Sequence, residues 1–197
     1  MLEGALIPQA FYLRPVEDVA RGLVGHIFHR EGVALRITEV EAYGGPEDSA
    51  SHCRHGRTPR NAPMWEAGGC AYVFRCYGLH HLLNVVAGPE GSGAAVLIRS
   101  VEVVQGHDLV LERRRGTLDG RGPGKVGEAL GLDLAFNRHP LHEPGGLELR
   151  WGSPPGGLLV GPRVGIGYAS PEDQRAPLRF AVAEARRASR PPLPGAR

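Results

Sequence analysis

Glycine (29) and proline (17) make up nearly a quarter of these 197 residues, about twice the roughly 12% usual in globular chains. Glycine costs backbone entropy in any regular element, and proline removes a backbone donor. A chain punctuated so often cannot build long helices; it turns frequently and relies on short elements. The apolar share of 42% and charged share of 22% are ordinary for a folded protein, which excludes disorder of the whole chain. No apolar run approaches the ~20 residues of a membrane span. The start, Met1 to Pro8, lacks the basic region and long apolar core of a signal peptide. The length suits one domain, able to bury roughly 70% of its unfolded surface without covalent staples.

Periodicity places the elements. Pro15 to Leu23 reads as a helix with Val16, Val19, Ala20 and Leu23 on one face. Val24–His29 and Val33–Glu41 read as a hairpin around Arg30-Glu31-Gly32, and Ala71–Cys76 and Leu79–Val86 as a second around Tyr77-Gly78. Ala94–Val104 is a further strand, a short helix is expected near Val126–Leu132, and Arg163–Tyr168 and Leu178–Val182 read as late strands. Between them, Tyr43 to Gly69 is polar, rich in glycine and proline, and without period; loops of this length in a compact domain are functional or disordered. Residues 1–185 are expected to form one mixed α/β (α+β) domain, and the basic stretch 186–197 a disordered tail.

Cys53, Cys70 and Cys76 form no Cys-x-x-Cys pair, which fits reduced thiols and a cytoplasmic home. A net charge of +2 does not specify a polyanionic partner, although Lys125 is the only lysine and every other cation is an arginine. Biased codon usage accounts for most of that imbalance, while arginine forks also suit phosphate oxygens.

Three clusters carry chemistry. In Glu39-Val-Glu41-Ala-Tyr43, period two puts Glu39, Glu41 and Tyr43 on one strand face and Val40 and Ala42 on the other. That face is either solvated or, because Gly44-Gly45-Pro46 ends the strand at an irregular loop, a place to hold a reactive carboxylate. The loop from Ser51 to Asn61 holds two histidines and several arginines. His52, Cys53 and His55 lack the second cluster that a zinc site uses, so no metal is expected; phosphate contacts and a merely solvated loop are the remaining readings. Tyr77 stands at a hairpin tip where turns favour Asn or Asp; it either folds back on the body or wedges into something, such as a base stack. Gly120-Arg-Gly-Pro-Gly-Lys125 lacks the phosphate-loop pattern, leaving a helix start with a lysine that suits one backbone phosphate.

Taken together, Arg36 to His52, Arg57-Thr-Pro-Arg60-Asn61, Tyr72 to Asn84, Ala94 to Arg99, Gly122 to Lys125, Arg163 to Tyr168 and Pro177 to Phe180 resemble, in order, the segments of the alkyladenine (3-methyladenine) DNA glycosylase family. The resemblance implies a single domain on a curved antiparallel sheet with surrounding short helices and a protruding hairpin. It further implies a monomeric, cofactor-free enzyme acting on double-stranded DNA, associated with the nucleoid, that removes alkylated or deaminated purines. Carried over by position, Glu41 is the general base that activates water and Arg99 helps to hold that water. Tyr43, His52 and Phe74 line the base pocket, and Asn84 clashes with the exocyclic amine of a normal guanine. Tyr77 is the wedge that fills the hole left in the duplex, and Arg57, Arg60 and Lys125 meet the DNA backbone. Phe74 departs from the tyrosine common in the family, so stacking is retained and a phenol hydrogen bond is lost. With one lysine far in sequence from Glu41, hydrolysis by water is expected, without the Schiff base that strand cleavage needs. A non-catalytic damaged-DNA-binding module and a metal-dependent hydrolase are the competing readings.

Overall fold

The strand Val33–Tyr43 organises the molecule, and its phase changes halfway along. In a computed structural model describing residues 4–183 and Leu193, Val33, Leu35 and Ile37 face the hydrophobic core, and then Val40 and Ala42 do. The switch follows from pairing with the strand Ala94–Gln105: Ile37 opposes Val101, Glu39 opposes Ser100 and Val40 opposes Ile98, so Thr38 and Arg99 are extra residues on their respective strands. Strands have a side-chain period of two, and one inserted residue turns everything beyond it to the other face. Glu39, Glu41 and Tyr43 are thereby aimed away from the core that their first-half neighbours Val33, Leu35 and Ile37 build.

Around this strand the elements run α1 (Gln9–Tyr12), α2 (Val16–Leu23), β1 (Ile27–Arg30), β2 (Val33–Tyr43), β3 (Ala71–Cys76), β4 (His80–Ala87), β5 (Ala94–Gln105), α3 (His107–Arg113), α4 (Pro123–Leu130), β6 (Glu148–Arg150), β7 (Leu158–Gly161), α5 (Pro171–Arg175) and β8 (Arg179–Val182). One antiparallel sheet runs β3-β4-β5-β2-β1-β6. The edge of β2 away from β5 is divided, with β1 on Val33–Arg36 and β8 on Glu39–Glu41. That split and the bulges curl the sheet around its helices. The core joins Leu35, Ile37, Val85, Val96 and Ile98 of the sheet to Val19 and Leu23 of α2 and Val126 and Leu130 of α4. No helix among the described residues is long and apolar enough to cross a membrane.

The mixed α+β domain on a curved antiparallel sheet is as expected; α1, α3, α5, β6 and β7 are additional to the expected elements, and three expected ones differ locally. Arg163–Tyr168 is not a strand: Gly165 at φ +76° breaks it, and Ile166 and Ala169 close a turn. The helix expected near Val126 starts three residues earlier, because Pro123 suits a first helical position, and it stops at Leu130 before Gly131 in the left-handed region. Strand β1 begins at Ile27 because Gly25 takes φ +95°. The stretch 186–197 lies outside the described residues except Leu193, which is buried against Ala181.

Candidate active site

Glu41 is completely buried, yet both carboxylate oxygens are occupied. Oε1 accepts the Val164 backbone N–H at 2.7 Å, and Oε2 accepts the Tyr43 hydroxyl at 2.8 Å and Arg99 Nη1 at 3.3 Å. Arg99, the extra residue of the β5 bulge, also reaches Glu39 Oε1 with Nε at 3.2 Å. Glu39 is held in turn by the Ser100 hydroxyl at 3.0 Å and by Arg179 Nε at 2.8 Å. Two buried carboxylates and two buried guanidiniums thus share one network, which spares either acid an unpaired burial. Burial pushes the Glu41 carboxyl above the ordinary glutamate range, and Arg99, the Val164 N–H and the Tyr43 hydroxyl only partly oppose it. Burial and then Glu41 itself drive the Tyr43 phenol well up, so the phenol keeps its proton and donates it.

Tyr43, the donor to this carboxylate, also walls a slot together with the rings of His52, Tyr72, Phe74 and Tyr168, with Met64, Asn84 and Leu97 also contributing. Its hairpin wall follows from strand alternation, since Tyr72 and Phe74 lie two apart on β3 with ring centres 5.3 Å from one another. His52 meets Phe74 edge-on at 4.7 Å, and its Nδ1 lies 3.0 Å from the Tyr72 hydroxyl. Partial burial, then Arg60 and Arg54, hold the imidazole below its usual pKa, so it is neutral at physiological pH. The Asn84 side-chain amide donates to the Tyr72 carbonyl at 3.0 Å. Three of the walls each have an arginine over the ring: Arg163 lies 4.7 Å from the ring centre of Tyr43, Arg54 5.0 Å from that of Tyr168 and Arg60 5.4 Å from that of Phe74.

The aperiodic stretch 43–69 is ordered by short polar side chains. Asp48 accepts the N–H groups of Gly44 and Ala50, and Asn61 donates to the carbonyls of His52 and Gly56 while accepting the Thr58 N–H. Asn and Asp satisfy loop backbone in this way where no ladder is present. Among the described residues no group of three His, Cys, Asp or Glu side chains is placed to hold a metal ion.

Tyr43, His52, Phe74 and Asn84 line the slot, and Glu41 with Arg99 lies behind it, joined to it through the Tyr43 hydroxyl. Tyr77 stands apart from it at the tip of the β3–β4 hairpin, 91% exposed, with Leu79 beside it 77% exposed. Both Tyr77 (φ +50°) and Gly78 (φ +69°) are left-handed, as a tight hairpin turn demands. Arg57 and Arg60 are exposed in the loop that carries His52. Lys125 pairs with Asp119 at 2.6 Å, near the start of α4. Sequence reading overlooked Tyr168, the Val164 N–H and the Asp48–Arg163 pair. The strand assigned to Arg163–Tyr168 hid all but Asp48, and only the glycines at 165 and 167 hinted at a turn.

Residues 10–186 match the model of the methylpurine-DNA glycosylase family. A protein of Nitrosococcus oceani provisionally named 3-methyladenine DNA glycosylase is 58% identical over 180 residues, 90% of each chain. The DNA-3-methyladenine glycosylase of Arabidopsis thaliana is 52% identical over 187 residues, 92% of this chain and 73% of the plant protein. A Chlamydia abortus protein with the same provisional name is 40% identical over 186 residues, 89% of this chain and 97% of its own. A match running through β2, the aromatic slot and the turn that caps Glu41 means that the chain belongs to the methylpurine-DNA glycosylase family, hydrolases of N-glycosyl bonds.

Proposed function

We propose that this enzyme takes alkylated or deaminated purines (the 3-methyladenine, 7-methylguanine, hypoxanthine and ethenoadenine class) out of duplex DNA and hydrolyses their glycosidic bond, leaving an abasic site. The observation that carries the reading is a fully buried, ligated Glu41 carboxylate linked through the Tyr43 hydroxyl to a slot walled by rings. A base inside a duplex is out of reach, so the nucleotide is extruded at a cost of a few kcal/mol, and Tyr77 at the exposed hairpin tip offsets part of the unstacking. The rings stack on the extruded purine, and cation–π attraction adds to this for N-alkylated, positively charged bases.

As the bond to the purine lengthens, positive charge builds on the sugar. Glu41 stabilises that charge and takes a proton from the water that attacks the anomeric carbon, while Arg99 helps to hold the water. The bond electrons leave with the purine, which needs a proton when it starts out neutral. A raised Glu41 pKa brings the base nearer to the working pH, where general-base catalysis is most effective. Lys125, the only lysine, pairs with Asp119 and is not among the slot residues, which supports release by water rather than through a Schiff base.

The test incubates duplexes carrying one lesion each with the enzyme, followed by alkali to reveal abasic sites. Glu41→Gln is expected to slow release by about 10²- to 10⁴-fold while still binding the lesion duplex. Equal loss of binding and release would instead make Glu41 structural. A wild type that binds but never releases a base would favour the non-catalytic reading, and activity abolished by chelator would favour a metal.

A further inference from the structure

The chemistry described so far leaves one buried ion pair without a task. Arg163 follows β7, and its side chain is wholly buried. It forks onto Asp48, Nη1 to Oδ2 at 2.5 Å and Nη2 to Oδ1 at 2.9 Å. The same Nη1 donates to the Ala42 carbonyl at 3.0 Å, and the guanidinium lies over the Tyr43 ring. Asp48 meanwhile gathers the N–H groups of Gly44 and Ala50. One pair therefore ties together the end of β2, the loop that leads to His52, and the turn that continues to Tyr168. The residue next to Arg163 is Val164, whose N–H ligates Glu41, and Ile166 beyond it packs with Ala50 and Tyr43. Desolvating two ions is costly, and an apolar pair of similar volume often holds a fold as well. An apolar pair cannot supply the fixed direction of a bidentate fork.

We propose that Asp48 and Arg163 are a positioning pair for the reaction: by fixing the turn after β7 against the end of β2, they set the Val164 N–H on Glu41 and the Tyr43 ring against the slot. The pair reaches neither the carboxylate nor the slot by a hydrogen bond of its own, so it acts through Val164 and Tyr43. The inference rests on the reading of Glu41 as the base. The charged and titratable groups around Glu41 are Glu39 and Tyr43 on its own strand, Arg99 on β5, Arg179 opposite on β8, and Arg163 with Asp48 from the two loops. Loosening the fork leaves Arg99 in place and weakens the Val164 bond, which favours the ionised carboxylate.

The test is single-turnover release of hypoxanthine from a duplex across pH, comparing wild type with Arg163→Lys, which keeps the charge and loses the fork. Denaturation of each protein reports the folded fraction. The variant is expected to lose about 10- to 100-fold in rate per folded molecule, as small misplacements of reacting groups do. Its affinity for the lesion duplex should fall less than its rate does, since the Val164 bond acts on Glu41 and not on DNA, and its acid limb should move to higher pH. Lower stability with an unchanged rate and acid limb would make the pair merely structural and overturn the proposal. Should Arg163→Lys not fold, Asp48→Asn, equal in shape but uncharged, decides on the same two readouts. An inactive wild type overturns the general-base reading as well, whereas an active wild type with unaffected variants overturns only the role of the pair.

Discussion

Replacing Tyr77 by glycine should move stability and function in opposite directions. Tyr77 is 91% exposed, so truncation forfeits almost no packing, and its φ of +50° belongs to a region that side chains enter at a cost. That cost is roughly 1–2 kcal/mol for an L residue, and glycine returns about 0.5–1 kcal/mol of it through the greater freedom of the unfolded chain. The remainder, about 0.5 kcal/mol in favour of the variant, corresponds to a rise in Tm of roughly 1–2 °C for a domain of this size. On DNA the ring's contribution is lost. An aromatic ring stacked on a base contributes ~1–3 kcal/mol, which is roughly a 5- to 150-fold loss in release from duplex. The same lesion in a single strand has no stack to repair, so its release should hardly change. Thermal melting, together with single-turnover assays on paired and unpaired substrates, reads both effects. A Tm lower by several degrees would mean that the tyrosine packs on the protein, and a duplex-to-single-strand ratio unchanged from wild type would remove the wedge.

Two further outcomes follow from the site. Burial raises the Glu41 pKa in the folded protein, so its unfavourable effect on stability is absent below the unfolded value of about 4.3 and sets in as pH rises through the raised folded value. Glu41→Gln should therefore melt at or above the wild-type temperature at pH 7.5, and the advantage should vanish near pH 4; a variant less stable at pH 7.5 than at pH 4, relative to wild type, contradicts this. Phe74→Ala removes one ring from the slot at a cost of ~1–3 kcal/mol of stacking, so half-saturation in a binding titration should need roughly 5- to 150-fold more enzyme, and unchanged binding would place the base elsewhere.

Much of the site could be read from side-chain chemistry, and the part that could not depends on backbone geometry. Glu41 and Tyr43 share a face because strands alternate, and Tyr77 stands at a tip because two apolar runs flank Tyr77-Gly78. The family resemblance supplied the roles, and chain order alone could not have brought Arg99 to Glu41, 58 residues away. The turn at 163–168 was lost because Val164, Ile166 and Tyr168 alternate with small or polar residues as a strand would, and Gly165 breaks the pattern only through its dihedral angle. The loop from Gly44 to Gly69 carries no period for the same reason that it is ordered: Asp48 and Asn61 satisfy individual amides, and such bonds leave no repeat in the sequence.

The one-residue slips at Thr38 and Arg99 have a consequence for how this sheet can change over time. Below them the strand serves stability, above them it serves chemistry, and two offset insertions keep those duties on opposite sides of a single ribbon. Lose one residue there and Glu39 and Glu41 swing inward to displace aliphatic packing, while Val40 and Ala42 swing out of the core. Surface turns elsewhere tolerate added or missing residues, whereas a length change here would exchange the two faces of the strand.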